Sequence, residues 1–113
     1  MKGSAYGAID PQALKADRDA WPTFRHDASR SGSTAATISN SVKKSWTLDI
    51  GGRLSQPVLA NGQLFVSEID RHTVHAIDES SGKKLWSYVA GGRIDSAPTL
   101  YKGSVLFGSN DGW

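Results

Sequence analysis

The feature that most constrains this chain is an internal repeat with a period of about 40 residues. Trp46 opens the pattern W-x₄-G-G-R-L, and Trp86 opens W-x₄-G-G-R-I one period later. The likeness continues through P-x-L-x-x-G, which begins at Pro57 and again at Pro98. A repeat of this length that is rich in strand-forming runs predicts a propeller, in which each unit forms one four-stranded blade.

Short apolar runs separated by turn residues divide the repeat into strands. Asn61-Gly62 supplies the residues that a two-residue hairpin turn requires. We therefore predict an all-β fold, a β-propeller of four-stranded antiparallel blades, of which the chain holds about one and a half after an N-terminal lead-in segment. A β-sandwich stays open, since regular strands at this spacing also pack as two sheets. The predicted strands are 57–60, 64–67, 73–78 and 84–89, followed by 97–100 and 105–108.

Three segments differ in composition. Residues 1–20 are interpreted as a linker or the tail of a preceding module, with a short polar helix over 11–20. Residues 21–45 form the lead-in segment, and residues 46–113 contain the repeats. The second unit stops in mid-blade, so we expect the chain to be a piece of a larger protein, poorly stable alone because its sheet edges are unpaired.

Charge and composition exclude several classes of protein. Thirteen basic and eleven acidic residues give a net charge of +2 without a basic cluster, which argues against nucleic-acid binding. The chain has no cysteine and therefore no disulfide or zinc–thiolate site. No apolar run approaches the roughly 18 residues of a membrane span. The first residues lack the apolar stretch of a signal peptide, so the sequence leaves the compartment open.

The residues from Ala76 to Trp86 resemble the tryptophan-docking motif, A-x-D-x-x-[TS]-G-x-x-x-W, of pyrroloquinoline-quinone-type propeller repeats. Ala76 is small enough for a neighbouring blade's indole to lie against its strand. Asp78 can accept hydrogen bonds from turn amides, and Gly82 can adopt a left-handed conformation. Trp86 can cover a large apolar area between blades. Trp46 occupies the equivalent position one unit earlier without the preceding A-x-D…G, which suits an outer strand supplied by the opening of the chain.

The lead-in segment carries a second resemblance to the same family. W-P-x-F-R-H-D-A-x-R-S-G-x-T, from Trp21 to Thr34, is similar to the segment that precedes blade one. It is similar to non-enzymatic repeat proteins and, more loosely, to quinoprotein alcohol dehydrogenases. The resemblance implies a closed propeller whose first partners are its own neighbouring blades. It also implies a periplasmic or cell-envelope location in bacteria.

Arg53 and Arg93 are the weak candidates for cofactor binding. They repeat at the same place, in the loop between one blade's outer strand and the next blade's inner strand. The resemblance implies that this loop opens toward the central funnel. Pyrroloquinoline quinone is a tricarboxylate, and arginine binds carboxylates in a bidentate way. The alternative is a structural arginine that bonds loop carbonyls or stands in solvent.

His26, Asp27 and Ser29 offer the residue types of a nucleophilic triad. Neighbours in sequence rarely meet in triad geometry, and no strand–turn–helix nucleophile elbow surrounds them. We therefore assign no catalytic residue and expect His26 to form a hydrogen bond within its own loop.

The remaining candidates concern metal binding. His72 and His75 are three residues apart, which places them on opposite faces of a strand. Glu68, Asp70 and Asp111 lie near predicted hairpin ends, and the last two repeat, which favours stabilisation of turns. We predict no metal site in this segment.

The preferred functional hypothesis is a non-catalytic binding or scaffold module for protein–protein interaction. The resemblance implies relatives such as outer-membrane assembly-factor propellers, which bind partner proteins and carry no quinone. We accordingly predict no cofactor in this segment. One alternative is part of a quinoprotein dehydrogenase that oxidises alcohols or sugars with bound pyrroloquinoline quinone and calcium. Another is a propeller appended to an unrelated upstream catalytic domain.

Overall fold

The computed structural model describes residues 19–112, and these contain no helix. The prediction of an all-β fold is therefore confirmed. The helix predicted over 11–20 lies almost wholly outside the described residues, as does Trp113. The six strands are β1 (Val58–Ala60), β2 (Gln63–Glu68), β3 (Thr73–Asp78), β4 (Lys84–Val89), β5 (Thr99–Tyr101) and β6 (Ser104–Leu106).

Strands β1 to β4 form one antiparallel sheet in which each strand pairs with the next along the chain. Such a meander is the arrangement of a propeller blade. The register places Phe65 opposite Ala76, and Ala76 opposite Trp86. The β1–β2 turn uses Asn61 and Gly62 with φ values of 55° and 70°, the left-handed conformations of a tight hairpin.

Strands β5 and β6 repeat the first hairpin and pack against one face of that sheet. Successive residues of a strand point to opposite faces, so one set of side chains from β1, β2 and β3 faces the second unit. These buried side chains contact partly buried side chains of that unit. The packing between the two units hides an apolar face that neither could leave in water. One contact cluster holds Val58, Phe65 and Ala76 against Ala97, Leu100 and Val105. A second holds Val74, Ala90 and Ile94 against Val105 and Phe107.

The inner and outer strands of the blade differ in burial. Five of the six residues of β3 are buried, since strands flank it on both sides and the second unit packs on one of its faces. Every residue of β4 is exposed, although the strand carries Leu85, Trp86, Tyr88 and Val89. Trp86 and Tyr88 each contact one aromatic ring, Phe65 and Phe107, and both remain exposed.

The lead-in segment ties the two units together at their first strands. Trp21 exchanges two backbone hydrogen bonds with Leu59 of β1, at 2.7 and 2.9 Å. The carbonyl of Pro22 accepts a 2.7 Å bond from the amide of Leu100 in β5. The lead-in backbone thereby satisfies part of the free edge of β1 and of β5 at once.

Residues 46–50 cross from the lead-in segment to β1 outside the six strands. Trp46, Leu48 and Ile50 are half-buried, and the residues between them are exposed. This alternation is typical of an extended segment that lies with one face on a sheet. No helix within residues 19–112 is long and apolar enough to cross a membrane.

Candidate functional site

Trp46 rests on the β3–β4 turn of the blade that follows it. Its indole Nε1 donates a 2.7 Å hydrogen bond to the carbonyl of Glu79. A Cβ atom on Gly82 would stand 2.5 Å from Trp46 Cδ2, so the ring lies directly on the glycine. Gly82 also has a φ of +69°, a conformation that favours glycine. Glycine is thus required here both by the turn and by the indole.

Asp78 organises the turn that receives Trp46. Its Oδ1 accepts hydrogen bonds from the Ser80 hydroxyl at 2.6 Å, the Ser81 amide at 2.8 Å and the Ser81 hydroxyl at 2.7 Å. These bonds lower the pKa of Asp78 from 3.8 to about 2, because they stabilise the ionised carboxylate, and the bond from the Ser80 hydroxyl contributes most. The amide of Gly82 closes the turn on the Asp78 carbonyl at 2.9 Å.

Ala76 and Trp86 lie on the face of the blade that meets the second unit. Ala76 is fully buried beside Val58 and Phe65. Trp86 packs on Phe65 with ring centroids 5.8 Å apart, yet 41% of its surface stays exposed. It borders an open groove of about 500 Å³ between β4 and β6, where Tyr88 and Phe107 also stand.

The opposite end of the blade carries the two candidate arginines, and we call it the rim. It comprises residues 51–57, 69–72 and 90–96, which precede β1 and β5 and join β2 to β3. Arg53 Nη2 donates to Asp70 Oδ1 at 3.0 Å, and both side chains are more than half exposed. Exposed ion pairs of this kind contribute about 1 kcal/mol or less to stability.

Arg93 makes a different contact from its counterpart Arg53. Its Nε lies 2.6 Å from Asp95 Oδ1, an ion pair whose angle is not that of a hydrogen bond. The Asp111 side chain lies against the glycines of this loop, Gly91 and Gly92, where no Cβ atom would fit. Both candidate arginines therefore stand at the rim, and each lies beside a carboxylate of its own unit.

A buried polar pair lies beneath the rim, and sequence reasoning missed it. Glu68 and His75 are 3% and 4% exposed, and His75 Nε2 lies 3.1 Å from Glu68 Oε2. Arg71 Nε is 3.4 Å from the other carboxylate oxygen. The two residues share a face of the sheet, because Val66 pairs with His75 and Glu68 with Thr73. Only the strand register could have revealed this pair.

The other histidines are placed apart from it. His72 is half-buried in the β2–β3 turn, with a φ of 55°. His26 Nδ1 lies 3.4 Å from Asp27 Oδ2. Asp27 in turn accepts bonds from the Ser31 hydroxyl at 2.6 Å and the Ser31 amide at 3.0 Å, which lower its pKa to about 2. Ser29 is exposed. Within residues 19–112, no group of three or more acidic, histidine or cysteine side chains is placed to hold a metal ion.

Comparison with known proteins gives one match. Residues 25–112, most of the chain, match the family model described as "Outer membrane protein assembly factor BamB". The match spans most of the lead-in segment, the blade and the second hairpin. Searches of the curated proteins and of the solved structures returned no match.

Proposed function

Since the chain belongs to the family of BamB-type propeller repeats, we propose that it is a non-catalytic module that binds other proteins. The description of that family supports a role in the assembly of outer membrane proteins, and hence a place in the bacterial cell envelope. We assign the interaction to the rim, where loops of successive units meet.

The observation that carries the proposal is the pairing of charges at the rim. Arg53 lies beside Asp70, and Arg93 lies beside Asp95, at 3.0 and 2.6 Å. A tricarboxylate such as pyrroloquinoline quinone would have to displace both aspartates and would be repelled by them. This arrangement favours a protein surface of mixed charge, where exposed pairs exchange partners at small cost, over a quinone site.

Site-specific photo-cross-linking in cells that express the chain tests this proposal. A photoreactive residue replaces Asp95 at the rim or, as a matched control, Lys102 in the β5–β6 turn at the other end of the unit. Both positions are exposed. We expect discrete protein adducts from position 95 and none from position 102, with a cell-envelope protein identified by mass spectrometry. Equal labelling from both positions, or none from position 95, would overturn the assignment of the rim.

A titration with pyrroloquinoline quinone distinguishes the alternative hypothesis. Tryptophan fluorescence follows the titration in the unmodified chain and in an Arg53→Ala, Arg93→Ala variant. We expect no saturable quenching in either. Saturable quenching that the double variant abolishes would support quinone binding and overturn the non-catalytic proposal.

A further inference from the structure

A buried carboxylate supports the rim loop of the first unit. Glu68 ends β2, and its side chain points under the loop Gly51–Arg53 rather than into solvent. At 3% exposure, an ionised carboxylate is costly to bury unless other groups compensate its charge. His75 supplies a bond to Oε2 at 3.1 Å, and Arg71 supplies a positive charge 3.4 Å from Oε1.

The loop backbone lies directly over this carboxylate. A Cβ atom on Gly52 would come within 2.9 Å of Glu68 Oε1, and Gly52 has a φ of +62°. Oε1 and His75 Nδ1 are buried and have no hydrogen-bond partner among the described residues. Buried polar atoms without partners are uncommon and call for a physical reason. Glu68 Oε1 lies against Gly52, with the Arg71 guanidinium 3.4 Å away as its nearest charge.

The position of this loop determines where Arg53 stands. The amide of Ile69, next to Glu68, donates to the Arg53 carbonyl at 2.8 Å. Leu54 forms a β-bridge with Glu68 itself. From this anchor the Arg53 guanidinium reaches Asp70 at 3.0 Å. Displacement of the Glu68 side chain would therefore release the backbone that carries Arg53.

The equivalent loop of the second unit is held by different groups. Ser109 stands at the position equivalent to Glu68, and its hydroxyl donates to the Gly92 carbonyl at 2.9 Å. The amide of Asn110 donates to the Arg93 carbonyl at 2.9 Å, as Ile69 does to Arg53. Gly91 and Gly92 lack the positive φ of Gly51 and Gly52, and the Asp111 side chain lies against them. The two loops therefore differ in backbone conformation as well as in the side chains that contact them.

We infer that Glu68, held by His75 and Arg71, is a conformational lock on the loop Gly51–Arg53 that fixes Arg53 at the rim. The inference deepens the proposed function and rests on it, since the rim is the surface proposed to bind partners. The lock makes the first unit's rim dependent on a buried charge.

Amide hydrogen exchange on the chain tests the lock. Glu68→Gln keeps the shape of the side chain but loses its charge and places an amide group near Arg71. We expect exchange at the Ile69 amide to become about tenfold faster or more, with little change at Val66 in the middle of β2. Ser109→Ala is the matched control, and it should accelerate Asn110 without affecting Ile69.

Two variants of His75 keep the test decisive if Glu68→Gln fails to fold. His75→Gln retains a donor for Glu68, and His75→Leu removes it while filling the space. We expect fast exchange at Ile69 in the leucine variant and near-normal exchange in the glutamine variant. Unchanged exchange at Ile69 in the leucine variant, or equal acceleration across β2 and β3, would overturn the lock. Cross-linking from position 95 is scored separately, so either proposal can fail alone.

Discussion

The two repeat tryptophans occupy equivalent positions in sequence and different positions in the structure. Trp46 lies on Gly82 and bonds the carbonyl of Glu79, both in the unit that follows it. Trp86 packs against Phe65 of its own blade and is 41% exposed. The Trp46 indole is thus held by the β3–β4 turn of the blade that follows it, and the Trp86 indole by a strand of its own blade.

The same comparison explains the exposure of β4. Trp86 and Tyr88 pair with Ala76 and Val74 and so lie on the face that packs on β5 and β6, which leave much of both rings uncovered. Blade-to-blade contact is therefore the main source of stability in such a repeat, because each blade alone cannot bury its apolar faces.

Replacement of Trp46, the tryptophan that contacts the following blade, should have the largest effect on stability. We expect Trp46→Ala to lower the free energy of unfolding by roughly 2–4 kcal/mol, since it removes a packed indole and leaves the Glu79 carbonyl without its donor. Trp86→Ala is the matched control and should lower it by about 1 kcal/mol, because much of that ring is already in water. Urea denaturation followed by circular dichroism measures both. Equal losses would show that the two indoles are equivalent.

Addition of one methyl group at the turn should have the next largest effect. Gly82→Ala forces a Cβ atom into the Trp46 ring at a φ of +69°, and we expect a loss of about 2–3 kcal/mol. Gly62→Ala is the control, because it has a φ of +70° and no atom within 4 Å of the new Cβ. It should cost about 1 kcal/mol from the backbone alone. In a Trp46→Ala background the difference between the two glycine variants should disappear.

The pH dependence of the turn gives a smaller effect. The folded-state pKa of Asp78, about 2, lies below its ordinary value of 3.8, so the unfolded state binds more protons between these values. Its contribution to stability is therefore complete above about pH 4 and is lost as the pH falls toward 2. Asp78→Asn should lower the urea midpoint at pH 7 and differ little from the unmodified chain near pH 2.

Asp27→Asn is the control for that experiment. The pKa of Asp27 is also lowered to about 2, by the Ser31 hydroxyl first, but it lies in the lead-in loop. The effect of Asp27→Asn on stability should depend on pH over the same range, but acrylamide quenching of Trp46 should not change. Increased quenching in the Asp78 variant alone would tie the turn to the indole; equal quenching in both variants would contradict that connection.

The fold could be predicted from the sequence because each repeat unit carries the same turn residues and the same apolar runs. Asn61-Gly62 fixes a tight turn, and apolar runs bounded by turn residues fix the strands. The bounds of β3 and β4 agree with the prediction, and the other strands differ from it by one or two residues at one end or both. For example, β2 extends to Glu68, and β5 begins at Thr99 rather than Ala97. Ends depend on tertiary hydrogen bonds, which a local pattern does not contain.

The site was less predictable, for reasons that the register makes clear. The roles of Asp78 and Gly82 follow from local turn chemistry, so their surroundings could be anticipated. The contact of Glu68 with His75 joins residues on two strands, and it depends on the pairing of Val66 with His75. Arg93 also lies beside Asp95, a residue of its own loop that the repeat pattern did not single out. Repetition in sequence thus predicted the positions of the arginines but not this contact.

The smallest expected effect concerns those arginine pairs. It tests whether the ion pairs of the two units contribute equally to stability. A double-mutant cycle on Arg53 and Asp70 should give a coupling of about 0.5 kcal/mol or less, because both side chains are more than half exposed. The same holds for Arg93 and Asp95, whose contact lacks hydrogen-bond geometry. High salt should abolish both couplings. A coupling near 2 kcal/mol in the first unit alone would mean that Arg53 is held rigidly by the loop beneath it, and the contrast between the units would then extend from the tryptophans to the rim.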